Sequence, residues 1–92
     1  MSHLILYSKP GCHLCEGLQE KLATLREFTL EVRDITRCEE WWQAYQYEIP
    51  LLYLVIGEQV IPVPRFSPRA SAEQIRQRLQ QLAGGSKSEA AD

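Results

Sequence analysis

The chain has no second C-x-x-C, no H-x-x-x-H, and only three cysteines in 92 residues. An odd, low count excludes full internal pairing and a disulfide-stapled secreted scaffold. No apolar run approaches the roughly 20 residues that a membrane helix needs. A strong charge of one sign is missing too. Net charge is -2 and the pI about 5.7, which argues against a nucleic-acid or anionic-membrane binder. Met1-Ser2-His3 carries no basic n-region or long h-region, so no export signal is expected and the cytoplasm is the expected compartment. There a disulfide is usually transient and catalytic. No internal repeat and no second domain is visible.

What remains is ordinary globular material, 45% hydrophobic and 24% charged, enough for one small domain with a single core. Cys12-His13-Leu14-Cys15 is its most informative stretch. It follows an apolar run, Leu4-Ile5-Leu6, and the turn pair Pro10-Gly11, and it opens a segment with leucines at 14, 18, 22 and 25. A C-x-x-C between a strand and a helix suits either a thiol–disulfide pair or half a metal site.

The surrounding pattern predicts a strand over His3 to Tyr7 and a first helix from His13 to Arg26, with Cys15 beside its leucine stripe. Alternation predicts a second strand from Phe28 to Ile35, then a turn from Thr36 to Glu39. A short helix from Glu39 to Tyr45 follows. Its adjacent Trp41 and Trp42 diverge by about 100°, so one faces the core and one is partly exposed. Leu51 to Ile56 reads as a buried strand, joined through Gly57-Glu58-Gln59 to a partner over Val60 to Phe66. Pro62 and Pro64 place that partner at a sheet edge. Ser71 and Gln74 form a capping-box pattern for a last helix, which Gly84-Gly85 should stop at Ala83. Residues 1–83 are thus one domain, and 84–92 are expected to be a disordered tail. The order β-α-β-α-β-β-α implies an α/β fold. Parallel first strands, a terminal hairpin, a four-stranded mixed sheet and helices on both faces go with it.

Lys9-Pro10-Gly11-Cys12-His13-Leu14-Cys15, Arg33-Asp34-Ile35 and Glu48-Ile49-Pro50 together resemble the glutaredoxin-like family of the thioredoxin superfamily. The resemblance covers roughly residues 3 to 83. It implies a thioredoxin-like fold, a redox-active Cys12/Cys15 pair and a cis Ile49–Pro50 bond beside it. It also implies that the Ile49 backbone pairs with an extended substrate. Lys9 would bind a glutathione or substrate carboxylate. The chain departs from glutaredoxins at two places. His13-Leu14 stands where they have Pro-Tyr, and Phe66-Ser67-Pro68-Arg69 stands where they have a glutathione-holding Gly-Gly.

The chemistry assigns roles. A thiolate must attack first, and a helix N-terminus or a nearby cation lowers a thiol's pKa from about 8.5. Cys12 is the expected nucleophile, with Lys9 adding charge, and Cys15, one turn inward, the resolving thiol. His13 either tunes the Cys12 thiolate or is a plain exposed residue. Cys38 is expected to cap or pack by the short helix, and Asp34 to serve a turn. The leading expectation is a monomeric thiol–disulfide oxidoreductase with no bound cofactor. It would act on protein disulfides or glutathione mixed disulfides, with a reductase or glutathione as electron donor and with no nucleic-acid or membrane partner. One alternative is a non-enzymatic adaptor or redox sensor that presents Trp42. Another is a metal or iron–sulfur module, for which His3, His13 and Cys38 are the only further soft ligands.

Overall fold

The computed structural model describes residues 2–91, with side chains through residue 84. β1 (Ser2–Ser8) leads into α1 (His13–Ala23), β2 (Thr29–Asp34), a 3₁₀ turn (Ile35–Arg37) and α2 (Glu39–Tyr45). β3 (Leu51–Ile56), β4 (Gln59–Pro62) and α3 (Ala72–Ala91) complete the chain. The strands form one mixed sheet in the order β2-β1-β3-β4. β1 runs parallel to β2, with Leu6 opposite Val32, and antiparallel to β3, with Leu6 opposite Leu52.

Strand periodicity divides the sheet chemically. Leu4, Leu6, Leu52 and Leu54 share one face and pack with Leu22 and Leu25 from α1 and its following turn, and with Ile75 and Leu79 from α3. Tyr7 points the other way, where α2 covers it. Its ring lies 5.6 Å from that of Trp41, 4.7 Å from Tyr45 and 6.0 Å from Tyr53. The Arg33 guanidinium lies against both the Tyr7 and Trp41 rings, 5.6 and 5.5 Å from their centroids. Helices therefore lie on both faces.

Several local signals act as their chemistry requires. The Ser71 Oγ accepts from Gln74 N–H at 3.1 Å while Gln74 Oε1 accepts from Ser71 N–H at 2.8 Å, closing a reciprocal capping box. Gly57 turns the β3–β4 hairpin at φ 59°, a conformation that costs glycine little. β4 is an edge strand, where a proline such as Pro62 is tolerated.

Beyond one-residue shifts at the ends of β1 and β2 and at the start of β4, four boundaries differ from the sequence reading. α1 stops at Ala23, not Arg26. Thr24 N–H turns back to Lys21 O at 3.2 Å, its Oγ1 donates to the same carbonyl at 2.7 Å, and the following turn carries Leu25 into the core. Part of the expected turn at 36–39 is 3₁₀ helix, because Asp34 caps it. β4 ends at Pro62, not Phe66. Val63 N–H still reaches Leu52 O at 3.0 Å, but Pro64 has no N–H to continue the ladder. α3 runs through Gly84-Gly85. Gly84 has no positive φ, so the left-handed cap that would end a helix does not form there. The tail expected over 84–92 continues α3 in its backbone as far as Ala91, and residue 92 lies outside the described residues.

Candidate functional site

The site begins where β1 runs out. Ser8 is buried at the strand end, and the chain then turns through Lys9-Pro10-Gly11. Cys12 N–H donates to Lys9 O at 3.3 Å, and Gly11 sits at φ 80°. That left-handed geometry lets the chain reverse directly into α1. Cys12 is the N-cap of α1, and its Sγ accepts from Cys15 N–H at 3.2 Å. The sulfur thus takes the place of a capping oxygen and faces amide groups that have no helical partner.

Cys12 and Cys15 are joined as a disulfide, with Cα atoms 5.2 Å apart, within the usual range for such a bond. The two sulfurs differ in environment. Cys12 is half-buried at the rim, whereas Cys15 is 1% exposed. A small cavity of about 190 Å³ abuts Cys15, walled by Ser8, Lys9, Glu16 and Asp34 among others. Asp34 is held below the ordinary carboxylate range, chiefly by the Thr36 hydroxyl and then by the Thr36 N–H. Both donate to Oδ1, at 2.6 and 2.9 Å.

On the other side of the pair a cleft of about 360 Å³ opens between α1 and the 63–68 segment, with Pro50 in its wall. His13 and Leu14 form its lip. The His13 side chain is 96% exposed, with Nδ1 3.9 Å from Glu16 Oε1. The Ile49–Pro50 peptide bond is cis, and both residues are half-buried. Arg65 Nη2 braces this loop by donating to Glu48 O at 2.9 Å.

The predicted residues therefore do not all converge on the cleft. His13 and Pro50 line the cleft, whereas Cys15 and Lys9 line the smaller cavity. Lys9 Nζ lies 5.7 Å from the Trp42 ring centroid, a cation–π arrangement.

A sequence model of the glutaredoxin-like domain (DUF836) matches residues 3–80. The chain belongs to that family. No curated protein matches this glutaredoxin-like chain in sequence. Its fold is similar to that of thioredoxin 1 from the thermophilic eubacterium Thermosipho africanus TCF52B. That likeness has a TM-score of 0.62 at 16% identity, covering 92% of this chain and 98% of the other. A structure described as a malarial protein is also similar, with a TM-score of 0.65 at 11% identity over 88% of this chain and 96% of the other.

Among the described residues of the glutaredoxin-like domain, no group of three or more His, Cys, Asp and Glu side chains could hold a metal ion. His3 lies in β1 with Nε2 3.7 Å from Glu31 Oε1, away from the C-x-x-C loop. Cys38 caps α2 by position but makes no side-chain cap bond. Among the described residues no helix is long and apolar enough to cross a membrane. Sequence reasoning missed Arg65, Lys21 and the partnership of Lys9 with Trp42. Each makes its contact across a gap in sequence that carries no local signal.

Proposed function

We propose that this domain is a thiol–disulfide oxidoreductase in which Cys12 attacks and Cys15 resolves. The asymmetry of the pair carries this reading: a half-buried sulfur at a helix N-terminus, linked to one that is 1% exposed. In the reduced form, the Cys15 N–H and the end of the α1 dipole favour negative charge on Cys12. The Cys12 thiolate attacks a substrate disulfide, forming a mixed disulfide and releasing one substrate thiolate, which takes up a proton. Cys15 then loses its proton and attacks Cys12 Sγ, releasing the second thiol. Two electrons and two protons pass to the substrate, and the Cys12–Cys15 bond is left behind.

The Ile49 backbone borders this reaction and offers an extended substrate a strand-like partner. Lys9 contributes positive potential from the Trp42 flank. A thiol or dithiol reductant, with glutathione or a reductase as candidates, would restore the pair in a cytoplasmic setting. No bound cofactor is needed for this exchange.

Cys15→Ser is expected to stall the reaction as a Cys12 mixed disulfide, seen as a mass increase reversed by dithiothreitol. Alkylation of Cys12 in the reduced protein should titrate below the ordinary thiol value of about 8.5. A midpoint at or above that value, with no adduct trapped by Cys15→Ser, would sink the proposal.

A further inference from the structure

The 360 Å³ cleft beside the disulfide has an unusual balance of chemistry for a site that must hold a charged tripeptide. Leu14, Leu18, Leu52, Val63, Phe66 and Ile75 supply much of its wall. No carboxylate lines it, so an α-ammonium entering the cleft meets no counter-charge. Its lysine and arginine bond backbone carbonyls of the walls. Lys21 Nζ donates to Pro68 O at 2.9 Å and to Ala70 O at 2.6 Å, and Arg65 Nη2 donates to Glu48 O. These bonds hold the 63–70 segment and the Ile49–Pro50 loop in place, so the cations act as struts for the walls.

The cleft is lined by His13 and Leu14, the two residues between the cysteines, and by Pro50. Leu14, 54% exposed, lies between the two cysteines in sequence, and Pro50 follows the backbone expected to align a substrate. An extended chain whose cysteine is bonded to Cys12 would bring its neighbouring side chain over Leu14 and Pro50. We propose that the cleft seats a branched aliphatic or aromatic side chain flanking the attacked cysteine of a protein disulfide, and that it selects such substrates over glutathione disulfide. This rests on the exchange reading above and names its substrate class. Closing apolar walls around such a side chain removes area from water, while a tripeptide with two carboxylates and one ammonium finds no partner for its ammonium and must draw its carboxylate partners from the cations that brace the walls.

The test uses the full chain, reduced beforehand to the dithiol and checked by thiol titration, in single-turnover reactions. Its two electrons then come from the protein itself. The probes are glutathione disulfide and two disulfide-linked peptide dimers, acetyl-Gly-Leu-Cys-Gly-amide and acetyl-Gly-Ala-Cys-Gly-amide. The leucine dimer should react about 10- to 100-fold faster than the alanine dimer, the range a well-formed apolar pocket gives, with glutathione disulfide slowest. Phe66→Ala should shrink the leucine-to-alanine ratio. Val63→Ala should do the same and covers the case in which the larger change prevents folding. Equal rates on the two peptides, or glutathione disulfide fastest, would overturn the cleft assignment while leaving exchange intact. No reaction with any probe would overturn the exchange reading and this inference with it.

Discussion

The two faces of the sheet are built from different materials. The face under α1 and α3 is aliphatic, with Leu4, Leu6, Leu22, Leu54 and Leu79 at most 1% exposed. The face under α2 is aromatic and polar. Tyr7 contacts three other rings, and its hydroxyl accepts from Arg33 Nη1 at 2.9 Å. Arg33 also bonds Glu31, and this hydrogen bond is the main cause of the rise in its pKa. Burial similarly pushes the Tyr45 phenol above its ordinary value. The aliphatic face gains stability from volume filled and water excluded. The aromatic face depends on orientation, because rings and guanidinium interact only at particular angles and distances. The first anchors α1, and with it the cysteines. The second positions α2, whose Trp42 meets Lys9 from the C-x-x-C loop.

If the division holds, the largest loss comes from emptying the aliphatic side. Leu54 is 0% exposed in the middle of β3 and packs in the core cluster with residues of α1 and α3. Leu54→Ala should destabilise the fold by about 3 kcal/mol, read as a lower denaturant midpoint with little change in slope. A loss under about 1 kcal/mol would mean that the site collapses to fill the gap, which the close-packed picture of this face does not allow.

The aromatic face should respond to loss of a polar atom with little loss of volume. Tyr7→Phe keeps the ring and removes the acceptor for Arg33 Nη1. Arg33 retains Glu31 and partial access to solvent, so the expected cost is about 1 kcal/mol. A change as large as that of Leu54→Ala would break the comparison, because it would make the hydroxyl bond as important as a core leucine.

The two faces were also unequally readable. The alternation of Leu4-Ile5-Leu6 and the 14-18-22-25 spacing expose the aliphatic side directly, since both reflect local periodicity. The Ser71/Gln74 box and the edge prolines were legible for the same reason: donor and acceptor, or missing donor, lie within three residues. The Cys12/Cys15 pair and its position at a helix start were equally plain. By contrast, Lys21 meets Pro68 and Ala70 across 47 and 49 residues, and Arg65 meets Glu48 across 17. No pattern announces such contacts, so the walls of the cleft emerged only from the fold. Lys9 is the clearest case. Its place three residues before Cys12 suggests a ligand for a carboxylate, yet its ammonium rests over Trp42 because α2 is packed there by Tyr7 and Arg33.

The smallest expected effect concerns how α2 is delivered to its face. Asp34 ends β2 and caps the 3₁₀ turn, accepting from the Thr36 hydroxyl and N–H. Asp34→Ala removes that acceptor and should lower the denaturation midpoint at neutral pH by less than Tyr7→Phe does, because the cap is more open to solvent. The effect should depend on pH with a definite sign. The folded state holds the Asp34 pKa below its ordinary value. The stabilisation is therefore present above the unfolded value of about 3.9 and is lost as pH falls through the lower folded value. Wild type and Asp34→Ala should thus differ at pH of about 7 and converge as the medium is acidified toward pH of about 2. A gap that persists unchanged in acid would show that the carboxylate charge is not what holds the turn. Thr36 and the backbone alone would then set the approach of α2 to the aromatic face.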